Sequence, residues 1–145
     1  MLTAIAMASF AVKAQKLDAS KVPHIVKQAF EKKYPCTAVT WEKEDQNFEA
    51  GFKKDGKTMS AVIEPNGNIG EIETDIAIKE LPAAVLSYVK EHYAGKSIKE
   101  GAMITKADGT VTYEAEVAHN DLIFDSNGKF IKEVKKDKED KEDND

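Results

Sequence analysis

The chain has 145 residues, of which 41% are apolar and 32% charged, with 21 Lys+Arg against 26 Asp+Glu for a net charge of −5. That size fits one ordinary domain or two very small ones. The acidic balance argues against a nucleic-acid binder, and no apolar run reaches the ~18 residues that cross a bilayer. A single cysteine excludes an internal disulfide framework and a cysteine-built zinc site.

Residues 2–12 are almost wholly apolar on every side, without the polar stripe of a buried amphipathic helix. The run has the length of a secretory leader's apolar region, and Val12-Lys13-Ala14 fits a small-residue cleavage site, so residues 1–14 read as a signal peptide cut after Ala14. This implies a periplasmic or secreted protein. The positive flank usual before such a run is missing, which suggests a start site several residues upstream.

From Val22 to Tyr34 apolar side chains fall at 22, 25, 26, 29, 30 and 34, a helical period, with Pro23 in the first turn and Pro35 at the end. The period then drops to two. Val39 and Trp41, and after them Phe48, Ala50 and Phe52, alternate with polar residues, as in strands with one buried face. Further strands are expected at 57–64 and 68–75, with turns at Asp55-Gly56 and Asn66-Gly67. The pattern then recurs. Leu81 to Tyr93 carries the same stripe at an offset of 59, with Pro82 aligned to Pro23, and ends at Ala94-Gly95. Strands follow at 97–106, around Tyr113-Glu114-Ala115-Glu116-Val117, at 121–125 and at 129–134, with turns at Asp108-Gly109 and Asn127-Gly128. The last eleven residues, 135–145, hold four lysines and six acids and no apolar side chain, so they read as a disordered charged tail.

The domain expected from this is a single unit over 15–134 made of two repeats, about 20–76 and 77–134, each a helix followed by four strands. One such unit offers a single apolar face and would be marginal alone. The expected fold class is α+β: two layers, about eight antiparallel strands joined edge to edge, and both helices on one face.

The helix around Val22-Pro23 through Tyr34-Pro35, then Val39-Thr40-Trp41-Glu42-Lys43-Glu44, then Asn47-Phe48-Glu49-Ala50, then Glu80-Leu81-Pro82 with Val85 and Tyr88-Val89, resembles secreted PepSY-like proteins of Bacteroidetes. These are grouped with the beta-lactamase-inhibitor-protein (BLIP)-like fold. The resemblance runs from about Ser20 to Glu133 and implies a tandem α-β4 architecture and export. It brings no catalytic residues, and the analogy to protease or hydrolase inhibitors is at the level of fold.

Chemistry-bearing residues are sparse. His24, His92 and His119 lack metal-ligand spacing and read as surface residues. Cys36, after Pro35, lacks a catalytic signature and reads as a small, partly buried residue. No phosphate loop, nucleophile elbow or zinc helix occurs. Catalysis, a cofactor and a metal are not expected. The carboxylates are more informative. If Phe48, Ala50, Phe52, Tyr113, Ala115 and Val117 face the helices, then Glu49, Glu114 and Glu116 face the other way. Glu42 and Glu44 join them if Trp41 points inward, and Val62 and Ile123 add apolar contact. Trp41 itself is a candidate anchor if it is exposed on that face. The expected function is an exported, non-enzymatic module that binds another protein, one with a basic surface, through the helix-free face. The alternative is a carrier of a small ligand or cation.

Overall fold

The computed structural model describes residues 15–136. Nine antiparallel strands form one sheet in strictly sequential order: β1 (Gln15–Leu17), β2 (Thr40–Glu44), β3 (Asn47–Lys54), β4 (Lys57–Ile63), β5 (Ile69–Ile76), β6 (Ile98–Lys106), β7 (Val111–Val117), β8 (Asn120–Asp125) and β9 (Phe130–Lys135). Helix α1 (His24–Lys33) lies between β1 and β2, and α2 (Ala83–His92) between β5 and β6. The fold is α+β, as expected. Nine strands rather than eight are present because the short strand β1 adds to the edge of β2, pairing Leu17 with Trp41.

The two expected half-sheets are continuous. β5 pairs with β6 from Glu71–Lys106 to Ile76–Gly101. Residues opposite one another in a ladder project from the same face. Ala61 is opposite Ile72, Thr74 opposite Met103, and Met103 opposite Tyr113. The face that packs α1 is therefore also the face that packs α2.

Each helix begins directly after a proline, Pro23 or Pro82, whose carbonyl accepts the first intrahelical bonds. One i, i+4 row from each helix then enters the core: Val22, Val26, Phe30 and Tyr34 from the first, and Leu81, Val85 and Val89 from the second. The first row packs on Trp41, Phe48, Ala50, Phe52, Ala61 and Ile63. The second packs on Ala115, Val117, Leu122 and Phe124. Ile25, part of the expected stripe, is 49% exposed and lies over the Gly67 turn.

The hairpins β3–β4, β7–β8 and β8–β9 close with two to four residues, and several of these adopt positive φ, as right-twisted hairpins require. Strand β9 runs to Lys135, one residue into the segment expected to be a tail. The expected leader and residues 137–145 lie outside the described residues.

Candidate functional site

The helix-free face of the sheet can be laid out row by row from the strand registers. Across β2 to β6 stand Glu42, Glu49, Val62, Glu71 and Lys106. The next row runs Ser60, Glu73, Ile104, Thr112 and Asp125. A third runs Asp75, Ala102, Glu114, Ile123 and Lys132. The last holds Glu116, Asp121 and Val134. Glu44 lies at the β2 end, opposite Asn47.

The structure thus brings together seven of the eight residues singled out from sequence: Glu42, Glu44, Glu49, Val62, Glu114, Glu116 and Ile123. The eighth, Trp41, is not on this face. It is 5% exposed, set edge-on to Phe30 with ring centroids 5.7 Å apart, and paired with Ala50 on the helix side. The alternation that turns Glu42 outward turns Trp41 inward, so its candidacy as an exposed anchor falls.

The centre of the face is covered by its own neighbouring side chains. Ala102, Ile104 and Thr112 are buried although no helix lies over them, and neither apolar side chain belongs to the two helix-side clusters. The glutamates flanking them on β5 and β7, Glu73 and Glu114, are only partly exposed. Strands β5 and β7 are two ladder spacings apart, ~10 Å, with the buried β6 side chains between their glutamates.

This placement governs their charge. Glu73 is pushed up to about 7, chiefly by removal from water and then by Asp75, Glu49, Glu71 and Asp121. Glu114 is pushed up to about 8 by desolvation and then by Glu73 and Asp121, with Lys136 opposing. Glu49 is raised by desolvation and by Glu42 across the ladder, with nearby Ser60 partly offsetting this. Glu44 moves the same way, by desolvation and by Glu49. At neutral pH Glu114 therefore keeps its proton.

One cation is seated on the face. Lys136 Nζ lies 2.9 Å from Glu116 Oε2 and 3.0 Å from Asp121 Oδ1. Desolvation pulls the Lys136 ammonium down, but its bonds to these two carboxylates outweigh that and hold it above the usual lysine range. Asp121 still titrates above the ordinary aspartate range, because its own desolvation outweighs the help from Lys136. Glu73, Asp121 and Lys136 were not picked out by sequence, nor was the buried β6 floor. The polar alternation of β7 was the available signal, since any strand paired beside Glu114 must present residues to the same side.

Other chemistry stays dispersed. His24, His92, His119 and Cys36 are all exposed and lie on separate elements. Cys36 is thus not the partly buried residue expected from sequence; it holds a left-handed φ of 56° at the turn after α1. Among the described residues, no group of three or more His, Cys, Asp or Glu side chains is arranged to hold a metal ion, and no helix is long and apolar enough to cross a membrane. On the helix side, Ile78, Leu86, Val89, Tyr93 and Ile98 line a shallow cleft rimmed by Lys90 and Lys96. In the first half Lys27 takes the place of Leu86 and donates to the Ala19 carbonyl at 3.1 Å.

The profile of the PepSY-like family, described as "Putative beta-lactamase-inhibitor-like, PepSY-like", matches residues 9–70 and 49–132. No curated protein matches the chain. Among solved structures, one of "putative periplasmic proteins" from Bacteroides eggerthii superposes with a TM-score of 0.70 at 18% identity, over 77% of this chain and 87% of that one. A DUF2874 family protein from Bacteroides uniformis gives 0.69 at 20% identity over the same shares, 77% and 87%. A BLIP-like protein from Bacteroides fragilis gives 0.64 at 24% identity, over 77% and 84%. The chain belongs to the PepSY-like, beta-lactamase-inhibitor-like family and has the fold of these Bacteroides proteins.

Proposed function

We propose that this PepSY-like chain is an exported, non-catalytic module that binds another protein across the helix-free face of its sheet. The observation that carries this reading is the make-up of that face. It combines half-buried Val62 and Ile123 at matching places in the two halves with carboxylates that, among the described residues, mostly lack cationic partners. Partly exposed apolar side chains set among charged ones suit a protein interface, in which rim charges steer encounter and select the partner. Export is supported by the apolar leader-like segment and by the periplasmic description of a structural neighbour.

Photo-crosslinking in living cells tests the reading. A crosslinking amino acid is placed at Lys53 or Lys132, exposed positions on the helix-free face, and at Lys32 on α1 as control. A common protein adduct from the two face positions and none from Lys32 is expected. No adduct from the face, or the same adducts from all three sites, overturns it.

A further inference from the structure

We propose that docking on the helix-free face is proton-gated: the face takes a partner segment that presents Lys or Arg side chains between aliphatic ones, and protonation of its glutamates releases that segment. The inference rests on the protein-binding reading above and adds the chemistry and regulation of the partner.

Charge complementarity supplies the first argument. Strands β2, β3, β5, β7 and β8 all send carboxylates to this face, in ladder rows where Glu42 stands directly opposite Glu49. Like charges directly opposite one another are unfavourable, so a cation between the rows relieves strain that the isolated protein retains. The face's other lysines, Lys53, Lys106 and Lys132, make no ion pair with it among the described residues. The second argument is the seat of Lys136. Its ammonium, carried by the segment just past β9, is held by Glu116 and Asp121 at 2.9 and 3.0 Å. The chain therefore shows in its own structure how the face receives a primary ammonium from an extended segment. The third is the pair of partly exposed apolar side chains. Val62 and Ile123, each directly opposite a glutamate in the ladder, suit aliphatic neighbours of the incoming cation.

The gate follows from the groups that surround each glutamate. Glu73 on β5 is faced by Glu71 and Asp75 on its own strand, by Glu49 on β3 and by Asp121 on β8. Glu114 on β7 is faced by Glu73 and Glu71 on β5 and by Asp121 on β8, with Lys136 the one cation acting on it. Crowded and half-desolvated, these carboxyls keep protons near neutral pH, while Lys and Arg of a partner stay charged throughout. A cation binds the ionised form, so binding expels protons and the affinity rises with pH.

The test uses the full chain, isotope-labelled for amide NMR, and three synthetic pentapeptides: acetyl-KLRLK-amide, its QLQLQ counterpart and its ELELE counterpart. The basic peptide is expected to shift amides at Val62, Ile104, Thr112 and Ile123, and to bind at least about tenfold more tightly at pH 8 than at pH 5.5. The E73Q/E114Q variant, whose fold is checked by circular dichroism, is expected to lose most of that pH dependence. Equal affinity at the two pH values, an unchanged pH dependence in the variant, or no binding of the basic peptide overturns the gate. Equal binding of the QLQLQ peptide to the face removes the cationic partner and leaves the protein-binding reading standing. Failure of that reading is seen separately, in the crosslinking pattern.

Discussion

The two helix-plus-four-strand halves pack the same scaffold with different materials. In the first half, Phe30 from α1 meets Trp41, Phe52 and Tyr34, with centroids 5.7, 5.1 and 5.5 Å away. In the second, Val89 holds the corresponding helix position among Val85, Val117 and Leu122, and the aromatic contacts run from fully buried Phe124 to partly buried Tyr88 and Phe130. The same backbone thus takes a ring or an aliphatic side chain at this helix position. Cores accept such exchange when volume and patterning are conserved together.

Breaking the two centres in turn measures the difference. Phe30→Ala is expected to cost about 4 kcal/mol and Val89→Ala about 2 kcal/mol in denaturant unfolding, because the first removes a ring that three other aromatic groups contact. Equal costs would mean that the aromatic cluster collapses around the gap.

The turns beneath the helices give the next effect. Gly67 and Gly128 occupy matching hairpins with φ of 90° and 82°. A Cβ at Gly128 would stand 2.9 Å from Ala84 Cβ and 3.1 Å from Pro82 Cβ, both rigid, whereas at Gly67 the nearest atoms are Ile25 Cγ1 at 3.1 Å and the Ile25 carbonyl oxygen at 3.3 Å, a slightly looser fit. Gly128→Ala is expected to destabilise by about 3 kcal/mol, and Gly67→Ala by less. A reversed order would show that the second half yields more readily than its small side chains suggest.

The shared face provides a pH effect. Unfolded glutamates ionise near 4.5, whereas folded Glu73 and Glu114 hold their protons to about 7 and 8. Across that window the unfolded state has released protons that the folded state retains, so stability is full below about pH 4.5 and falls as pH rises towards 8. E73Q/E114Q is expected to be more stable than the parent by about 2 kcal/mol at pH 8 and equal to it at pH 4, after allowance for partial exposure. A parallel pH profile in parent and variant would contradict the burial of these carboxyls.

The smallest effect concerns the helix ends. Cys36 sits at φ 56°, at the position that Gly95 fills in the second half with φ 76°. Cys36→Gly is expected to stabilise by about 1 kcal/mol, as the left-handed cap then loses its side-chain clash. No gain in melting temperature would mean that Cys36 makes compensating contacts in its turn.

The helical stripes and the alternation around Phe48 and Tyr113 were legible because each writes a period into the chain. The side taken by Trp41 was left open by the sequence, and its pairing with Ala50 settles it inward. Three further things were not legible. Strand β1 has only three residues, too few to show a period, and exists because β2 offers an edge. The face of Ile104 was hidden because the β6–β7 register shifts between Ile98 and Gly101, so counting along β6 gives no reliable side. Lys136 looked like part of a solvated charge run. What fixes it is a pair of carboxylates, Glu116 and Asp121, supplied by β7 and β8.

The strictly sequential strand order has a kinetic consequence. Every strand pairs only with those just before and after it in the chain, so no strand waits for a distant segment, and each closure spans one hairpin or one helix crossover. Such short-range topologies fold quickly for their strand content. The sheet can grow like a zipper from either half, with the β5–β6 seam as the one junction where both growing pieces must meet in register.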